Sequence, residues 1–467
     1  MKNIILITVD CFRYDRCGFS GHNRPTTPIL DEFASESIVF DSTYATGPYT
    51  TESFPGILAG EHSHNGSYYS DSVGWKALED DSETLATHLR DQGYETIATL
   101  TNPHLVTERN FDSGFESFRN LRAGPTDHSK SSDGGFDFAD LMYDFRERMR
   151  NYSSVLNPYT LPYVSYRYLQ HLRDWPTIPG EKLTEAFVED LKNQSEPFFA
   201  WTHFMDLHAP LNPRLIREGG LCASDRIVKH LLWDAARAGR VHEPRYDTMY
   251  DSALRYVDRC IGSVVEHLKA QDQWDDTVLI VTGDHGEVLF DRDGVYGHPR
   301  HHLYDDLLHV PLLVRIPGED ARRVSTPFSL AWLHELIAEV LDLPDGDFPT
   351  FSGRESIFDP MDDESTPVIS DSIDERGHTV SVRNSQTKLI SHAPIDEVDD
   401  SSPLAAPDVA FDYVQDPGER VSLDGNDYPD LQDQAKGLHT DPAELSSIDG
   451  KFSEDVEQRL KDLGYRT

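Results

Sequence analysis

Apolar runs along the chain predict a series of strands separated by more polar, helix-like segments. Residues 4–9 (IILITV) form an unbroken apolar run, which is typical of a strand covered on both faces. The segments DTVLIVTGDHG at 276–286 and HVPLLVRIPG at 309–318 repeat this pattern. Shorter runs at 38–40 and 94–101 predict two further strands.

Helical periodicity marks the segments between these runs. Apolar residues recur at helical spacing in 28–38 and, most strongly, in 245–270. Residues 82–92 form an amphipathic pattern, with Ser82 suited to the N-cap and Gly93 to the position after the helix end. This alternation predicts an α/β fold with a doubly wound, mostly parallel sheet that is flanked by helices.

The pattern changes towards the end of the chain and predicts two units. We expect a catalytic domain over 1–360 and a small antiparallel C-terminal subdomain over 361–467. The segment HTVSVRNSQTKLISHA at 378–393 alternates like a hairpin, and 453–465 has the pattern of a final helix. Residues 119–180, rich in aromatic residues and Arg, predict an insertion that serves as a lid.

The charge of the chain is strongly acidic and limits the choice of partner. Its 467 residues include 82 acidic and 42 basic residues, for a net charge of −40, and eleven of the basic residues are Lys. A nucleic-acid partner is excluded, because binding to phosphate backbones needs a positive surface. A diffuse, Lys-poor acidic surface resembles that of haloarchaeal proteins, whose charge repulsion is screened by a salt-saturated cytosol.

Neither a membrane span nor a secretory leader is predicted. No apolar run reaches about 18 residues, and MKNIILITVD leads directly into a strand rather than a cleavage site. The four Cys residues show neither metal-finger spacing nor a disulfide framework. We therefore expect a cytoplasmic protein without a membrane span.

Acidic residues at two strand ends give the first indication of a site. Asp10 follows the first strand, and Asp284 and His285 follow the strand at 276–283. Because ligands of parallel sheets bind beyond the carboxyl ends of the strands, these side chains suit a divalent metal ion. Capping by Asp10, or an Asx turn with a solvated His at Asp284-His285, stays open as a purely structural alternative.

Histidines are concentrated in two segments, FFAWTHFMDLHAP and YGHPRHHLYDDLLHVP. His203 lies within a strand pattern and is expected to be packed, while His309 belongs to the start of a strand. His208 and His298 follow strand-like or Gly positions, so they are the candidates for the site. His301 and His302 belong to the same dense cluster.

The stretch TYATGPYTTESFPGILAG at 43–60 holds five hydroxyl side chains. Its end reads as the last turn of a short apolar helix before Gly60. Any one of these hydroxyls could cap that helix, or one of them could act as a nucleophile.

Several segments together resemble the sulfatase family of the alkaline phosphatase superfamily. The matching segments follow the family's order from residue 3 to about residue 425, and they are NIILITVDCFRYD, SFPGILAG, FFAWTHFMDLHAPL, DDTVLIVTGDHGEVL, GHPRHHLYDDLLHVPLLVRIPG and FDYVQDPGERVSL. The resemblance implies the same doubly wound sheet, a metal at the carboxyl ends of its strands, and a small C-terminal subdomain.

The resemblance also implies the metal ligands. Asp10, Asp284 and His285 match three family positions, but Cys11 stands where the family has a second acid. The family often uses calcium, which prefers oxygen ligands. With one oxygen ligand fewer and a His, we expect one divalent ion, Mn²⁺ or Zn²⁺ in preference to Ca²⁺.

The residue that sulfatases convert to formylglycine is absent. Counting back from Gly60, which matches the family's L-T-G glycine, places Thr50 at that position, with Thr51 the next candidate if the register slips by one. No formylglycine is expected, because the extra methyl group of Thr would leave a ketone. A Thr nucleophile resembles that of phosphodiesterases and phospho-headgroup transferases of the same superfamily.

The remaining matches suggest roles in substrate binding. Asn102 takes the place of a family Lys, and His104 matches a family His; both are predicted to bind substrate. His208 and His298 are predicted to contact the ester or to protonate the leaving oxygen. The expected substrate is a small anionic sulfate or phosphate ester, and a sulfated or phosphorylated glycan is one candidate. The alternatives are a phosphodiesterase or transferase and an inactive member that binds an anionic glycan.

Overall fold

The computed structural model describes most of the chain. The described ranges are 1–69, 75–121, 177–223, 246–292, 295–362, 365–395, 402–448, 450 and 452–463. Most of the predicted insertion at 119–180 lies outside these ranges, so its role as a lid stays a prediction.

The described residues contain helices and strands that alternate through the first two thirds of the chain. In chain order the strands are β1 (Asn3–Val9), β2 (Ile38–Tyr44), β3 (Ser67–Tyr69), β4 (Lys76–Ala77), β5 (Glu95–Leu100), β6 (Ser117–Asn120), β7 (Phe198–Phe204), β8 (Thr277–Gly283), β9 (Val288–Leu289), β10 (Tyr296–Gly297), β11 (His309–Arg315), β12 (Arg322–Val324), β13 (Phe328–Ser329), β14 (Val368–Asp374), β15 (Gly377–Arg383), β16 (Thr387–Pro394), β17 (Val409–Asp412), β18 (Leu423–Asp424) and β19 (Ser447–Ile448). The α-helices are α1 (Pro28–Ala34), α2 (Thr50–Ala59), α3 (Leu85–Asp91), α4 (Gly180–Leu191), α5 (Pro213–Gly219), α6 (Tyr246–Ala270), α7 (Asp305–Leu308), α8 (Leu333–Leu341), α9 (Pro429–Leu438) and α10 (Glu454–Leu463).

The main sheet is mostly parallel, which confirms the predicted fold class. Its strand order is β12-β2-β11-β8-β1-β7-β5-β6, with β13 also paired to β2. Strands β8, β1, β7, β5 and β6 run parallel to one another. Strand β11 is antiparallel to both β8 and β2, so β2 points in the same direction as β8.

Helices cover both faces of this sheet, because each buried strand is apolar on both sides. In β1, Ile4 and Leu6 join the core under α2, α3 and α8, whereas Ile5, Ile7 and Val9 join the core under α1, α4 and α6. This division follows from the two-residue repeat of a strand, which sends successive side chains to opposite faces.

The helix predicted at 82–92 begins later than expected. Thr84, not Ser82, is the N-cap, and its side chain accepts a hydrogen bond from the amide of Thr87, whose hydroxyl accepts from the amide of Thr84 in return. This reciprocal capping satisfies two amide groups that the first turn leaves unpaired, which Ser82 could not do from two residues upstream. Gly93 follows the helix with a φ of 90°, as its position predicted.

A second sheet, antiparallel and five-stranded, follows the catalytic region in the order β14-β15-β16-β17-β18. Its first strand contacts the segments that precede and follow helix α2. Asp371 donates its amide to the carbonyl of Thr46 (2.8 Å), ahead of α2, and its carboxylate accepts the amides of Ser63 (2.8 Å) and His64 (2.7 Å), which follow α2. The carboxylate also contacts the His64 ring at 2.9 Å and the His378 ring at 3.2 Å.

We expect Asp371→Asn to destabilise the folded chain by about 3 kcal/mol, because one amide –NH₂ would then face N–H donors at a buried site. The measurement is the free energy of unfolding in urea, in concentrated KCl. Asp433→Asn, at an exposed position of α9, is the control and should change that energy by less than about 0.5 kcal/mol. Equal stability of the two variants would contradict the role of Asp371.

Candidate active site

Four neighbouring parallel strands bring the predicted residues to one edge of the sheet. In the order β8-β1-β7-β5, their carboxyl ends lead into Asp284-His285, Asp10, His208 and Asn102. All of these side chains are buried. Strands that run in the same direction end on the same side, so residues that are up to 275 positions apart along the chain meet there.

Asp10, Asp284 and His285 form one cluster whose possible ligand atoms all lie within 4.8 Å of one another. The His285 Nε2 atom is 3.8 Å from Asp10 Oδ1 and 3.6 Å from Asp284 Oδ2. Its Nδ1 atom lies 2.8 Å from the carbonyl of Gly286, which can only accept, so Nδ1 carries the proton and the lone pair of Nε2 faces the carboxylates.

The two carboxylates experience different surroundings. Burial would raise the pKa of Asp10, but His203, His208 and His285 around it hold that pKa well below its ordinary value. Burial raises the pKa of Asp284, although His285 acts in the opposite direction. Asp284 Oδ1 accepts the amides of His285 (2.8 Å) and Cys11 (3.3 Å), whereas Oδ2 has no hydrogen-bond donor among the described residues.

This donor set fits a divalent cation. A fully buried carboxylate oxygen without a hydrogen bond is costly unless a cation compensates it. Two carboxylates and one imidazole with its lone pair directed at them are ligands that Mn²⁺ and Zn²⁺ accept. The residues predicted as metal ligands are therefore together, and their arrangement suits the ion.

Thr50 lies against this cluster. It is the first residue of α2, and Tyr49 rather than Thr50 occupies the N-cap position. The Thr50 Oγ1 atom lies 3.3 Å from His285 Nε2 and 3.5 Å from Asp10 Oδ2. The N-cap alternative for Thr50 is thus wrong, because its hydroxyl is directed away from the helix amides and towards the carboxylates.

Helix α2 is fixed in this position by contacts along its length. Ser53 donates to the carbonyl of Asp284 at 2.6 Å, which joins the helix to the end of β8. The helix ends at Gly60, which has a left-handed φ of 66° that favours glycine, as the sequence predicted.

His208 and His298 lie on the other side of the cluster. Their ring centroids are 5.2 Å apart, and the His298 ring is 5.0 Å from that of His285. Glu287 lies 2.8 Å from His298 Nδ1, and although burial acts against it, this carboxylate raises the pKa of His298. Burial lowers the pKa of His208.

Asn102 and His104 lie next to the site and contact its other members. Asn102 donates to Asp10 Oδ2 at 3.4 Å and its side-chain oxygen accepts the amide of His104 at 2.8 Å. The His104 ring lies 5.0 Å from that of Trp75 and 6.1 Å from that of Tyr49. Asn102 thus orients Asp10, and the substrate-binding role of both residues stays a prediction.

Four residues at the site were not among the sequence-predicted candidates: Cys11, Glu287, His203 and Arg300. His203 is packed within β7, as expected, but its Nε2 atom also lies 3.6 Å from Asp10. Arg300 bonds Glu52 at 2.9 Å, and its guanidinium lies 4.8 Å from the centre of the Tyr49 ring, beside the first turn of α2. Glu287 could have been found from the sequence, since it ends the same GDHGE segment as Asp284.

The other histidines of the dense segment lie elsewhere. His301 contacts Thr379 and Asp374 of the antiparallel sheet. His302 lies 3.4 Å from Asp306. His309 is the first residue of β11, as predicted, and stacks on Tyr14 with ring centroids 4.3 Å apart.

Comparison with known proteins gives a consistent family. The Sulfatase family model matches residues 2–345. An arylsulfatase from Clostridium perfringens is 24% identical over 349 residues, which are 68% of this chain and 69% of that protein. An N-acetylglucosamine-6-O-sulfatase from Bacteroides thetaiotaomicron is 22% identical over 369 residues, which are 68% of this chain and 63% of that protein.

Solved structures share the fold at lower identity. The phosphonate monoester hydrolase of Agrobacterium radiobacter superposes with a TM-score of 0.60 at 18% identity, over 94% of each chain. Within the described residues, no helix combines the length and the apolar character that crossing a membrane requires.

We expect a divalent cation to stabilise the folded chain through the Asp10–Asp284–His285 cluster. Protein freed of metal and then given Mn²⁺ or Zn²⁺ at 100 times the dissociation constant should gain about 2.7 kcal/mol in free energy of unfolding. Asp284→Asn should lose most of that gain. The control is Asp258→Asn, which removes a buried carboxylate that caps α1 and leaves the cluster intact, so its gain should be unchanged. A metal-independent unfolding energy would contradict a metal centre.

Proposed function

The chain belongs to the sulfatase family of ester hydrolases, and we propose that it cleaves a sulfate or phosphate ester with Thr50 as the nucleophile and one divalent metal ion. The observation that carries this proposal is the position of the Thr50 hydroxyl, within 3.5 Å of both Asp10 and His285 at the start of α2. An alcohol becomes a nucleophile when neighbouring groups accept its proton and orient its oxygen.

Asp10, Asp284 and His285 would hold the ion. When bound, it supplies Lewis-acid chemistry, which lowers the pKa of a coordinated hydroxyl and neutralises charge on the ester oxygens. The absence of a formylglycine follows from the threonine itself, whose methyl group blocks formation of an aldehyde.

The chain's own residues would carry out the attack and the proton transfer to the leaving group. The Thr50 oxygen attacks sulfur or phosphorus, its proton passes to solvent, and the bond to the leaving oxygen breaks. His298, whose Nδ1 faces Glu287, has its Nε2 available to protonate that leaving oxygen, with His208 beside it. Water then cleaves the ester formed on Thr50 and restores the hydroxyl.

Two features at the start of α2 would bind the anionic group of the ester. The start of α2 carries the positive end of the helix dipole, which favours an anion. Arg300 places a cation beside Tyr49. This cation would stand in for the Lys and Arg of sulfatases, which this chain lacks at the matching positions. Its bond to Glu52 holds the guanidinium in place, so Arg300 would contact the ester oxygens.

The nucleophile favours phosphorus over sulfur. A formylglycine hydrate expels sulfate by elimination, a route that is closed to threonine. A threonine alkoxide is instead readily displaced from phosphorus when the phosphorylated enzyme is cleaved. A phosphate monoester, a phosphodiester or transfer of a phospho-headgroup is therefore favoured over a sulfate ester. One relative is named for a sulfated amino sugar, so a glycan that carries the ester is a candidate substrate.

We expect Thr50→Val to lower kcat by about 10⁴-fold or more, since it removes the attacking oxygen and keeps the shape of the side chain. Thr50→Ser should retain measurable turnover. Thr51→Val is the matched control, with the same change one residue along the helix. Turnover is measured on nitrophenyl sulfate, phosphate, phosphodiester and phosphonate substrates.

Each alternative has its own signature in these assays. Sulfate release that survives Thr50→Val refutes the assignment of the nucleophile. Loss of activity in Thr51→Val alone shows that the register is shifted by one residue. Faster turnover with an added sugar acceptor indicates a transferase, and metal binding without turnover of any substrate indicates an inactive glycan-binding member.

We further propose that the protein works in a cytoplasm of high salt concentration, as haloarchaeal proteins do. The net charge of −40 is compatible with a compact chain where the Debye length falls to about 3 Å, as it does at 1 M salt. The free energy of unfolding should therefore rise with KCl up to molar concentrations. Full activity and stability in dilute buffer would contradict the proposal.

A further inference from the structure

Cys11 occupies a constrained position beside the metal cluster. Its backbone has a φ of 61°, in the left-handed region that residues other than glycine seldom adopt. Its amide donates to Asp284 Oδ1 at 3.3 Å, and its carbonyl accepts the hydroxyl of Tyr250 at 2.5 Å. Hydrogen bonds of both the amide and the carbonyl of Cys11 thus fix the direction of its side chain.

This side-chain direction places the thiol next to the possible metal-ligand atoms. Cys11 Sγ lies 2.8 Å from Asp10 Oδ1, 3.3 Å from Glu287 Oε2 and 3.9 Å from His298 Nδ1. Cys11, His285 and His298 also form a group whose possible ligand atoms lie within 4.8 Å of one another. The thiol is fully buried, and it has one proton to share between two carboxylates.

A second observation at the same place indicates a missing cation. Asp284 Oδ2 and Glu287 Oε1 are both buried and have no hydrogen-bond donor among the described residues. A thiol that serves only as apolar packing does not need to lie between carboxylates. The buried Cys17 shows the contrast, since among the described residues its sulfur forms a hydrogen bond to the carbonyl of Arg13, at 3.6 Å, and to no carboxylate.

We propose that Cys11 is a thiolate ligand of the metal ion, alongside Asp10, Asp284 and His285, and that it selects a thiophilic ion such as Zn²⁺ over Ca²⁺. The inference rests on the metal centre of the proposed function and adds the sulfur ligand. Binding of the ion releases the thiol proton to solvent, and a metal–sulfur bond forms. His298 stays outside the set, because its Nδ1 faces Glu287.

The choice of metal follows from the type of donor atom. Ca²⁺ takes six to eight oxygen ligands and gains little from sulfur. Thiolate and imidazole favour Zn²⁺ and Co²⁺, and a coordinated thiol is deprotonated by the charge of the ion. One substitution, from the second acid of the family to Cys11, would thus change the metal without moving the backbone.

Cobalt provides a direct test that does not depend on activity. Metal-free protein is titrated with Co²⁺ in concentrated KCl, and the near-ultraviolet thiolate-to-cobalt charge-transfer band is recorded. The wild type and the matched control Cys17→Ser should show the band at one equivalent. Cys11→Ser should bind Co²⁺ without the band. Its Zn²⁺ affinity should fall by at least about 100-fold, because loss of a ligand should cost no less than loss of a residue that only hydrogen-bonds a ligand.

A reciprocal variant tests selectivity. Cys11→Asp restores the acid expected of the family, and its Ca²⁺ affinity should rise relative to Zn²⁺, as measured by calorimetry. Stoichiometric Co²⁺ binding by the wild type without a charge-transfer band would overturn the thiolate ligand while leaving the metal centre intact. No binding of any divalent ion would overturn both, and purified protein that holds calcium alone would overturn the selectivity.

Discussion

The structure depends on the placement of two buried carboxylates at the ends of adjacent parallel strands. Asp10 directly follows β1 and Asp284 directly follows β8, and both are withdrawn from water. Charges of the same sign in a site of low dielectric repel each other strongly, so they persist only where nearby groups compensate them. Asn102 donates a hydrogen bond to Asp10, and a divalent cation would supply the positive charge that compensates the two carboxylates.

Helix α2 connects this charge to the proposed chemistry. Its first residue, Thr50, lies on the carboxylates, and Ser53 bonds the end of β8. The antiparallel sheet holds the helix from the other side, through Asp371, which bonds the segments before and after the helix, and through Ser372, which bonds Glu52 at 3.1 Å. The C-terminal sheet is therefore part of the support of the site, because it helps to hold α2, whose first residue is Thr50.

The departures from the sulfatase pattern are consistent with one another. Glu52 stands where the family motif has Pro, and it pairs with Arg300, a cation supplied from a distant loop. Cys11 stands where the family has an acid, and Thr50 is the residue proposed to replace the precursor of formylglycine. The proposed softer ion and threonine nucleophile would belong to phosphoryl transfer more than to sulfate elimination, so the two proposals favour the same change of reaction.

The sequence determined the fold class and most of the proposed site by itself. Apolar runs such as IILITV specify buried strands, because this signal depends on the local pattern alone. Acids that follow such strands indicate the position of a charged site, because parallel strands end at the same edge of the sheet. The distance along the chain from Gly60 singled out Thr50 as the candidate nucleophile, and the structure places its hydroxyl near Asp10 and His285. The predicted start of α3 was wrong. The reciprocal capping by Thr84 and Thr87 depends on side-chain geometry, and the residue type of Ser82 alone does not reveal it.

Only the tertiary structure decided which long-range partners surround those residues. Arg300 and Glu52 are 248 positions apart, and Cys11 and Glu287 are 276 apart, so no periodicity along the chain connects them. His203 reads as a packed strand residue, yet the pairing of β7 with β1 places its ring beside Asp10. Such contacts arise when strands and loops fold together, which is why the sequence indicated the proposed metal ligands but not the contacts of the Cys11 thiol or the position of Arg300.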